Sequence, residues 1–266
     1  MVDPVRGLGL DQPTVASETD SESGPAAPPP VKPTPGRVVP SLVEVILCSG
    51  FPTQLVLSTL LAAAGFAALA PTGEPSFGFI VTLTLLDVLV VLGLVVTFLH
   101  ARDETVGELV LGARPPEREA VLGVLLTPPI VVAAIAGLLL IGWLAPGLRN
   151  VPDNPFQAML GTPGRALLFA FVVVLAGGLR EELQRAFILR RFDQHLGGGW
   201  LGLVVFSIAF GLGHAIQGWD TVIVTGALGA LWGTLYLTRG SAVAAMVSHT
   251  GFNLTQIALA VGGAQP

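Results

Sequence analysis

Residues 77–99 read FGFIVTLTLLDVLVVLGLVVTFL, and Asp87 is the one ionisable side chain among them. A helix of this length rises by about 35 Å, which is enough to cross the ~30 Å hydrocarbon core of a bilayer. The whole chain has the same character: of 266 residues, 52% are hydrophobic and 12% are charged, and the mean hydropathy is +0.75. So few charges cannot cover the surface of a water-soluble protein of this size. The composition therefore predicts an all-α, polytopic transmembrane helical bundle that has the lipid bilayer as its solvent.

Uncharged stretches recur along the chain and predict about seven membrane spans. These spans lie at residues 43–70, 77–99, 120–144, 165–191, 199–217, 221–238 and 241–262. Residues 1–40 differ from them, because this segment holds nine of the 21 prolines and no aromatic residue. Such a segment cannot bury enough apolar area to offset its ordering entropy. We therefore predict a disordered Pro-rich tail at 1–40 and an integral membrane domain at 41–266.

Basic residues indicate how the bundle is oriented. With the N-terminus inside, the inner segments carry nine Lys and Arg residues and the outer segments carry two. This asymmetry predicts a cytoplasmic N-terminus in a plasma membrane, which we expect to be bacterial. The largest inner loop, 101–119, is expected to be a solvated connector rather than an interfacial helix around Val106–Leu111. The net charge of −5 argues against a nucleic-acid partner, and the single cysteine, Cys48, rules out an internal disulfide.

A few ionisable side chains lie at depth within the predicted spans, where they usually face a partner or a cavity. At 1.5 Å per residue, Glu181 and His249 both lie about 15 Å from the inner edge, and His214 lies about 20 Å from it. The i, i+4 spacing of His249 and Asn253 places them on one helix face, and the same spacing suits an ion pair between Glu181 and Arg185.

Glycines also stripe the sixth predicted span, where small residues allow close helix packing. They are Gly226, Gly229 and Gly233. The stripe serves a contact within the chain or between subunits, and it predicts no particular oligomeric state.

The buried polar residues point to hydrolysis. A carboxylate and an imidazole in a wet cavity can hold and deprotonate water, while a second imidazole and a carboxamide can stabilise an oxyanion. Together they would cleave a peptide bond of a peptide or protein substrate within or beside the bilayer. Two histidines and the glutamates are also zinc ligands. However, no His-Glu-x-x-His helix is present and the donors are scattered over three spans, so we favour water activation without a metal or other cofactor.

Three segments, in this order, resemble the motifs of a known family. They are Glu181-Glu182-Leu183-Gln184-Arg185, Phe210-Gly211-Leu212-Gly213-His214 and His249-Thr250-Gly251-Phe252-Asn253. They resemble the double glutamate with arginine, the Phe-x-x-x-His and the His-x-x-x-Asn/Asp of the CPBP family. This group of CAAX proteases and bacteriocin-processing enzymes comprises intramembrane glutamic endopeptidases and includes the Rce1-type prenyl proteases. The resemblance covers roughly residues 160–260, which we therefore predict to be the catalytic core.

The resemblance implies a role for each motif residue. Glu181 would activate water together with His214, His249 and Asn253 would stabilise the oxyanion, and Glu182 would have a supporting structural or proton-handling role. The arginine departs from the family pattern, which would place it at position 186, where this chain has Ala186. One residue is about 100° around a helix, so Arg185 is retained as a secondary site residue.

Three other readings of the same residues stay open. One is a non-catalytic immunity, regulatory or scaffold protein on the same fold, since a fold does not guarantee turnover. Another is a zinc-dependent version of the same protease. The third is a transporter, for which Asp87 would have to join the polar cluster along a path.

Overall fold

The computed structural model describes residues 35–151 and 154–263. Within these ranges the chain is helical and contains no β-strand, which confirms the predicted all-α fold. The helices are α1 Pro35–Cys48, α2 Phe51–Ala63, α3 Phe77–His100, α4 Val106–Val110, α5 Pro116–Leu144, α6 Pro163–Val173, α7 Glu182–His195, α8 Gly199–Leu212, α9 Trp219–Arg239 and α10 Val243–Val261. Residues 1–34 of the predicted tail lie outside the described residues, whereas 35–40 belong to α1.

The predicted first span is a broken helix. Helices α1 and α2 meet at an angle of 44°, because Gly50 between them has a left-handed φ of +85° and Pro52 cannot donate a backbone hydrogen bond. The break frees the carbonyl of Cys48, which accepts a hydrogen bond of 2.6 Å from Gln184 Nε2. This hydrogen bond connects the C-terminal end of α1 to α7.

Three helices are long and apolar enough to cross a membrane by themselves, namely α3, α5 and α9, and the bent α1–α2 pair would be a fourth. In the most apolar part of α5, only 11% of the residues are buried inside the protein. The remaining apolar surface faces outward, as in a helix surrounded by lipid. These features support an integral membrane protein. Helix α8 has 14 residues and ends at Leu212, five residues before the predicted end of its span. The count of seven spans stays a prediction.

The glycine stripe on α9 packs against α8 of the same chain. A Cβ at Gly229 would lie 2.9 Å from Phe210 Cδ1, and one at Gly233 would lie 2.3 Å from Leu203 Cδ1. On the other side, a Cβ at Gly211 would lie 2.5 Å from the carbonyl oxygen of Val222. Of the two contacts that the sequence left open, the structure uses the one within the chain.

The loop 101–119 is not the ordinary connector expected from the sequence, because it contains α4. Thr105 and Glu108 form a capping box. The backbone N–H of Glu108 donates to Thr105 Oγ1 at 3.2 Å, and the backbone N–H of Thr105 donates to Glu108 Oε2 at 3.3 Å. The end of α4 contacts the α9–α10 turn, where the carbonyl of Val110 accepts a 2.8 Å hydrogen bond from Ala242 N. The sequence raised a helix at this position as the less favoured reading, and its five residues are too few for hydrophobicity to decide.

A buried charge cluster joins α1, the α3–α4 connection and α7. The fully buried Arg191 donates to Glu44 at 2.6 Å and to Glu104 at 2.7 Å. Gln194 Nε2 also donates to Glu104, at 2.8 Å. Partial burial raises the pKa of the Glu104 carboxyl, but the hydrogen bonds from Gln194 and Arg191 and the charges of Arg191 and Arg190 lower it by more. The pKa of Glu104 therefore lies below its ordinary value.

Replacement of Glu104 by Gln tests this cluster. A carboxyl with a depressed folded-state pKa stabilises the fold above its unfolded pKa, and this contribution disappears as the pH falls through the folded value. Glu104→Gln should therefore lower the melting temperature in detergent at about pH 7, and the difference from wild type should shrink below about pH 4. Glu108→Gln is the control, since its carboxylate is 59% exposed and lies 4.0 Å from Arg190. A difference that stays constant with pH would contradict the account.

Candidate active site

A π-helical segment, Val174–Glu181, joins α6 to α7 and ends at the first of the two consecutive glutamates. Such segments are rare within α-helices and occur frequently at functional sites. The segment lies directly against α10 because it contains two glycines. A Cβ at Gly178 would lie 1.9 Å from Thr250 Oγ1, and one at Gly177 would lie 2.2 Å from Asn253 Nδ2. The glycines thus bring the first and third sequence motifs into contact.

His249 of α10 is bound by the second glutamate. Its Nδ1 lies 2.7 Å from Glu182 Oε1, and the same oxygen forms an ion pair with Arg185 Nη1. Glu182 is 2% exposed and Arg185 is 1% exposed. Because a carboxylate only accepts hydrogen bonds, Nδ1 of His249 carries a proton and Nε2 is the free ring nitrogen. The imidazole is also stacked on the ring of Trp232, with centroids 3.8 Å apart and planes at 13°.

Glu181 differs from Glu182 in having no close partner among the described residues. Its Oε2 lies 3.8 Å from Nε2 of His249, and its Oε1 lies 3.8 Å from Nη1 of Arg180. Both distances are too long for a hydrogen bond. The Glu181 side chain is 20% exposed, whereas that of Glu182 is 1% exposed. Of the two glutamates, Glu181 is the one whose oxygens are available to another molecule.

Arg180 is held from the other side by Asp87, the lone ionisable residue of the second predicted span. Its Nη2 forms a buried ion pair with Asp87 Oδ2. Asp87 Oδ1 accepts a 2.6 Å hydrogen bond from Thr53 Oγ1 of α2, and Gln54 Nε2 lies 3.4 Å from Oδ2. The sequence assigned no partner to Arg180 or to Asp87, although an isolated charge in an apolar span was itself the signal that one existed.

These contacts form a continuous array of charged groups across α3, the π segment, α7 and α10. In spatial order the array consists of Asp87, Arg180, Glu181, His249, Glu182 and Arg185. It has three carboxylates and two guanidiniums. Each guanidinium is in direct contact with one carboxylate, so Glu181 is the carboxylate that remains without a directly bound cation.

The predicted ion pair between Glu181 and Arg185 is wrong, because Arg185 contacts Glu182 instead, at the i, i+3 spacing. Both spacings place side chains together on a helix, and the position of His249 next to Glu182 decides between them. The Arg185 guanidinium also faces three aromatic rings, with Cζ 4.6–5.7 Å from their centroids. They belong to Phe206, Phe210 and Trp232. Arg185 therefore reaches the site despite its shifted position in the motif.

The sequence predicted that His214 lies on the helix of the fifth span. In the structure α8 ends at Leu212, and His214 lies in the turn that follows it. Its Nδ1 lies 2.9 Å from the carbonyl oxygen of Phe210, and the two rings are 5.0 Å apart. Within the part of the chain that the structure describes, no hydrogen bond or ion pair joins His214 to Glu181. The Phe210 ring also lies 6.3 Å from that of His249, so His214 is connected to the array through Phe210.

Asn253 and His249 face the same glycine, as their i, i+4 spacing predicted. A Cβ at Gly177 would lie 2.2 Å from Asn253 Nδ2 and 3.4 Å from His249 Nε2. Two side-chain nitrogens thus converge beside a backbone that has no side chain of its own. When Nε2 of His249 also carries a proton, both nitrogens can donate hydrogen bonds to one oxygen atom.

The same donors do not fit a metal ion. Among residues 35–151 and 154–263, no group of three or more His, Cys, Asp or Glu side chains is placed to hold one. Glu182 and Nδ1 of His249 bind each other, and Glu182 also binds Arg185. A zinc site would require these atoms to turn toward a common point.

Ionisable side chains brought together inside an apolar helical bundle indicate a functional site in a membrane protein. Residues 163–255 match the family model of the Rce1-like proteins, the type II CAAX prenyl endopeptidases. The match contains all three motifs and confirms the resemblance of this segment to the CAAX protease family. It supports a membrane-embedded endopeptidase in general terms. No curated protein and no solved structure matches the chain.

Gly177→Ala tests the space shared by His249 and Asn253. The added methyl group would displace the Asn253 amide, which is the end of a flexible side chain, so we expect the protein to fold and peptide cleavage to fall on the order of 100-fold. Gly164→Ala, in the first turn of α6, is the control because nothing lies within 4 Å of its Cβ position. The melting temperatures of both purified variants should first be shown to be equal, and their cleavage rates should then be compared. Full activity of Gly177→Ala would show that this space is not used.

Proposed function

We propose that this protein is an intramembrane endopeptidase in which Glu181 activates the attacking water, with residues 160–260 as its catalytic core. The observation that carries the proposal is the position of Glu181, which is part of the charged array, has no directly bound cation and is partly exposed. The match to a family of CAAX endopeptidases supports peptide-bond cleavage as the reaction. The substrate class is a peptide segment that reaches the bilayer.

In the attack step, a water molecule next to Glu181 gives its proton to the carboxylate while its oxygen bonds to the carbonyl carbon of the substrate. His214 is proposed as a second contact of this water. With Nδ1–H donated to the Phe210 carbonyl, its Nε2 is unprotonated and accepts a hydrogen bond. Exclusion of bulk water by the surrounding helices strengthens each of these interactions.

The charge of the array supports a role for His249 in holding the oxyanion. Three carboxylates and two guanidiniums carry one net negative charge, and a second proton on His249 would bring the formal total to zero. The Nε2–H of His249 and the amide of Asn253 would then donate to the developing oxyanion, while Glu182 holds the imidazole in place. As the C–N bond breaks, the proton on Glu181 moves to the leaving amine.

The location of the enzyme is also a proposal. The distribution of Lys and Arg supports a bacterial plasma membrane protein with its N-terminus in the cytoplasm. Segments that this orientation places on the cytoplasmic side of the membrane contact each other. One such contact is the ion pair between Arg239 and Glu119. The alternative of a non-catalytic scaffold would be favoured by dry packing of all the polar groups. The exposure of the Glu181 side chain argues against it.

Glu181→Gln is the direct test of the base. The amide keeps the shape of the side chain but cannot accept a proton, so cleavage of a susceptible peptide should fall by about 1,000-fold or more. Glu119→Gln is the matched control, because it removes a buried carboxylate that pairs with Arg239 outside the array. Wild-type activity should survive a strong chelator. Undiminished cleavage by Glu181→Gln would overturn the proposal, and activity that needs added zinc would assign the site to a metalloprotease.

Trp232 provides a test of how His249 is held. Its ring stacks on the imidazole and its Nε1–H donates to Ser248 Oγ at 3.1 Å. Trp232→Phe should retain most of kcat, whereas Trp232→Leu should lower kcat about tenfold, because it removes the aromatic surface that orients His249. KM should change little in both. Equal kcat values for the two variants would contradict an orienting role.

A further inference from the structure

The ion pair between Asp87 and Arg180 has no part in the proposed bond cleavage, yet it lies next to the proposed base. Asp87 is on α3, outside residues 163–255 that match the family. It is 3% exposed, and Arg180 is 6% exposed. A buried pair of this kind needs a reason, since replacing such a pair with apolar residues is often neutral or stabilising.

We infer that Asp87 is a positioning residue, which prevents the Arg180 guanidinium from forming a direct ion pair with the Glu181 carboxylate. Asp87 binds Nη2 of Arg180, and Nη1 of the same guanidinium lies 3.8 Å from Glu181 Oε1. Arg180 thus remains near enough to stabilise the carboxylate of Glu181 electrostatically. It does not cover the oxygen that must take a proton from water. This inference rests on the proposed role of Glu181 as the base.

The position of Asp87 is itself fixed by α2. Thr53 donates to one carboxylate oxygen and Gln54 to the other, and Gly50 leaves room for the Arg180 guanidinium, because a Cβ there would lie 2.6 Å from Nη2. The broken first span is therefore part of this arrangement. It supplies the hydrogen bonds that hold Asp87 and the gap that receives Arg180.

Loss of Asp87 would leave Arg180 with Glu181 as its nearest anion. Among the described residues, the titratable groups that face Arg180 and Glu181 are Asp87 from α3 and His249 from α10, and the α2 side chains are uncharged. An unpaired guanidinium in an apolar site forms a close, bidentate pair with an available carboxylate. Glu181 would then hold its negative charge more firmly and accept a proton less readily.

Asp87→Asn, which is isosteric, therefore gives a specific expectation. We expect kcat to fall about tenfold and the acidic limb of the activity profile to move to lower pH by about one unit. Arg180→Gln should move that limb to higher pH. The double variant, which has neither charge, should recover most of the wild-type profile. Glu119→Gln, which removes a buried carboxylate from an ion pair elsewhere, should leave the profile unchanged.

A second readout does not need turnover. Dicyclohexylcarbodiimide modifies protonated carboxyl groups in membranes, and mass spectrometry of the Glu181 peptide gives the pH of half-maximal modification. We expect this midpoint to be about one unit lower in Asp87→Asn than in wild type and higher in Arg180→Gln. Glu181→Gln supplies the blank.

The two readouts separate the possible failures. If the pH midpoints of modification are unchanged in Asp87→Asn and Arg180→Gln, the proposed role of Asp87 is wrong. It is also wrong if the decrease in kcat is proportional to the decrease in melting temperature, since destabilisation would then account for it. Shifted midpoints in a protein whose Glu181→Gln variant still cleaves peptides would support the positioning of Arg180 while the proposed function fails.

Discussion

The pairing of charges inside an apolar bundle is the constraint on which the site depends. A carboxylate or guanidinium in hydrocarbon is costly unless an opposite charge contacts it. Two guanidiniums and three carboxylates therefore have to lie together, and this requires α3, the π segment, α7 and α10 to meet at one level. Because the numbers are unequal, one carboxylate remains without a direct partner. Among the described residues this carboxylate is that of Glu181, whose partly exposed position is the basis for proposing it as the base.

The helices can meet so closely because the backbone is adapted at two points. Gly177 and Gly178 lie in the π segment, where any side chain would collide with α10. Consecutive residues are about 100° apart around a helix. The imidazole of His249 lies between Glu181 and Glu182, so its Nδ1 faces Glu182 and its Nε2 faces Glu181. Trp232 supports this ring from the opposite side. The geometry that makes His249 a hydrogen-bond donor thus comes from three helices together.

Part of this arrangement was predictable from the sequence. Hydropathy predicted the long apolar helices. The depths of the polar residues and the family resemblance predicted that Glu181, Glu182, His214, His249 and Asn253 share a site, but among the described residues no hydrogen bond or ion pair joins His214 to the others. The break at Gly50 was missed because a hydropathy window averages over it. The partner of Arg185 was missed because i+3 and i+4 are equally allowed until His249 takes its place. The pair between Asp87 and Arg180 was missed because 93 residues separate its members, and no local pattern encodes such a contact.

Infrared spectroscopy of the protein in lipid vesicles tests the central claim most directly, because a protonated buried carboxyl has its own carbonyl stretching band. As the pH is lowered from neutral, the account predicts that the first such band to appear belongs to Glu181 and is absent from the Glu181→Gln protein. The carboxylates of Asp87 and Glu182 are each in direct contact with a guanidinium, whereas that of Glu181 is not. A first band that persists in Glu181→Gln and vanishes instead in Asp87→Asn or Glu182→Gln would contradict the account.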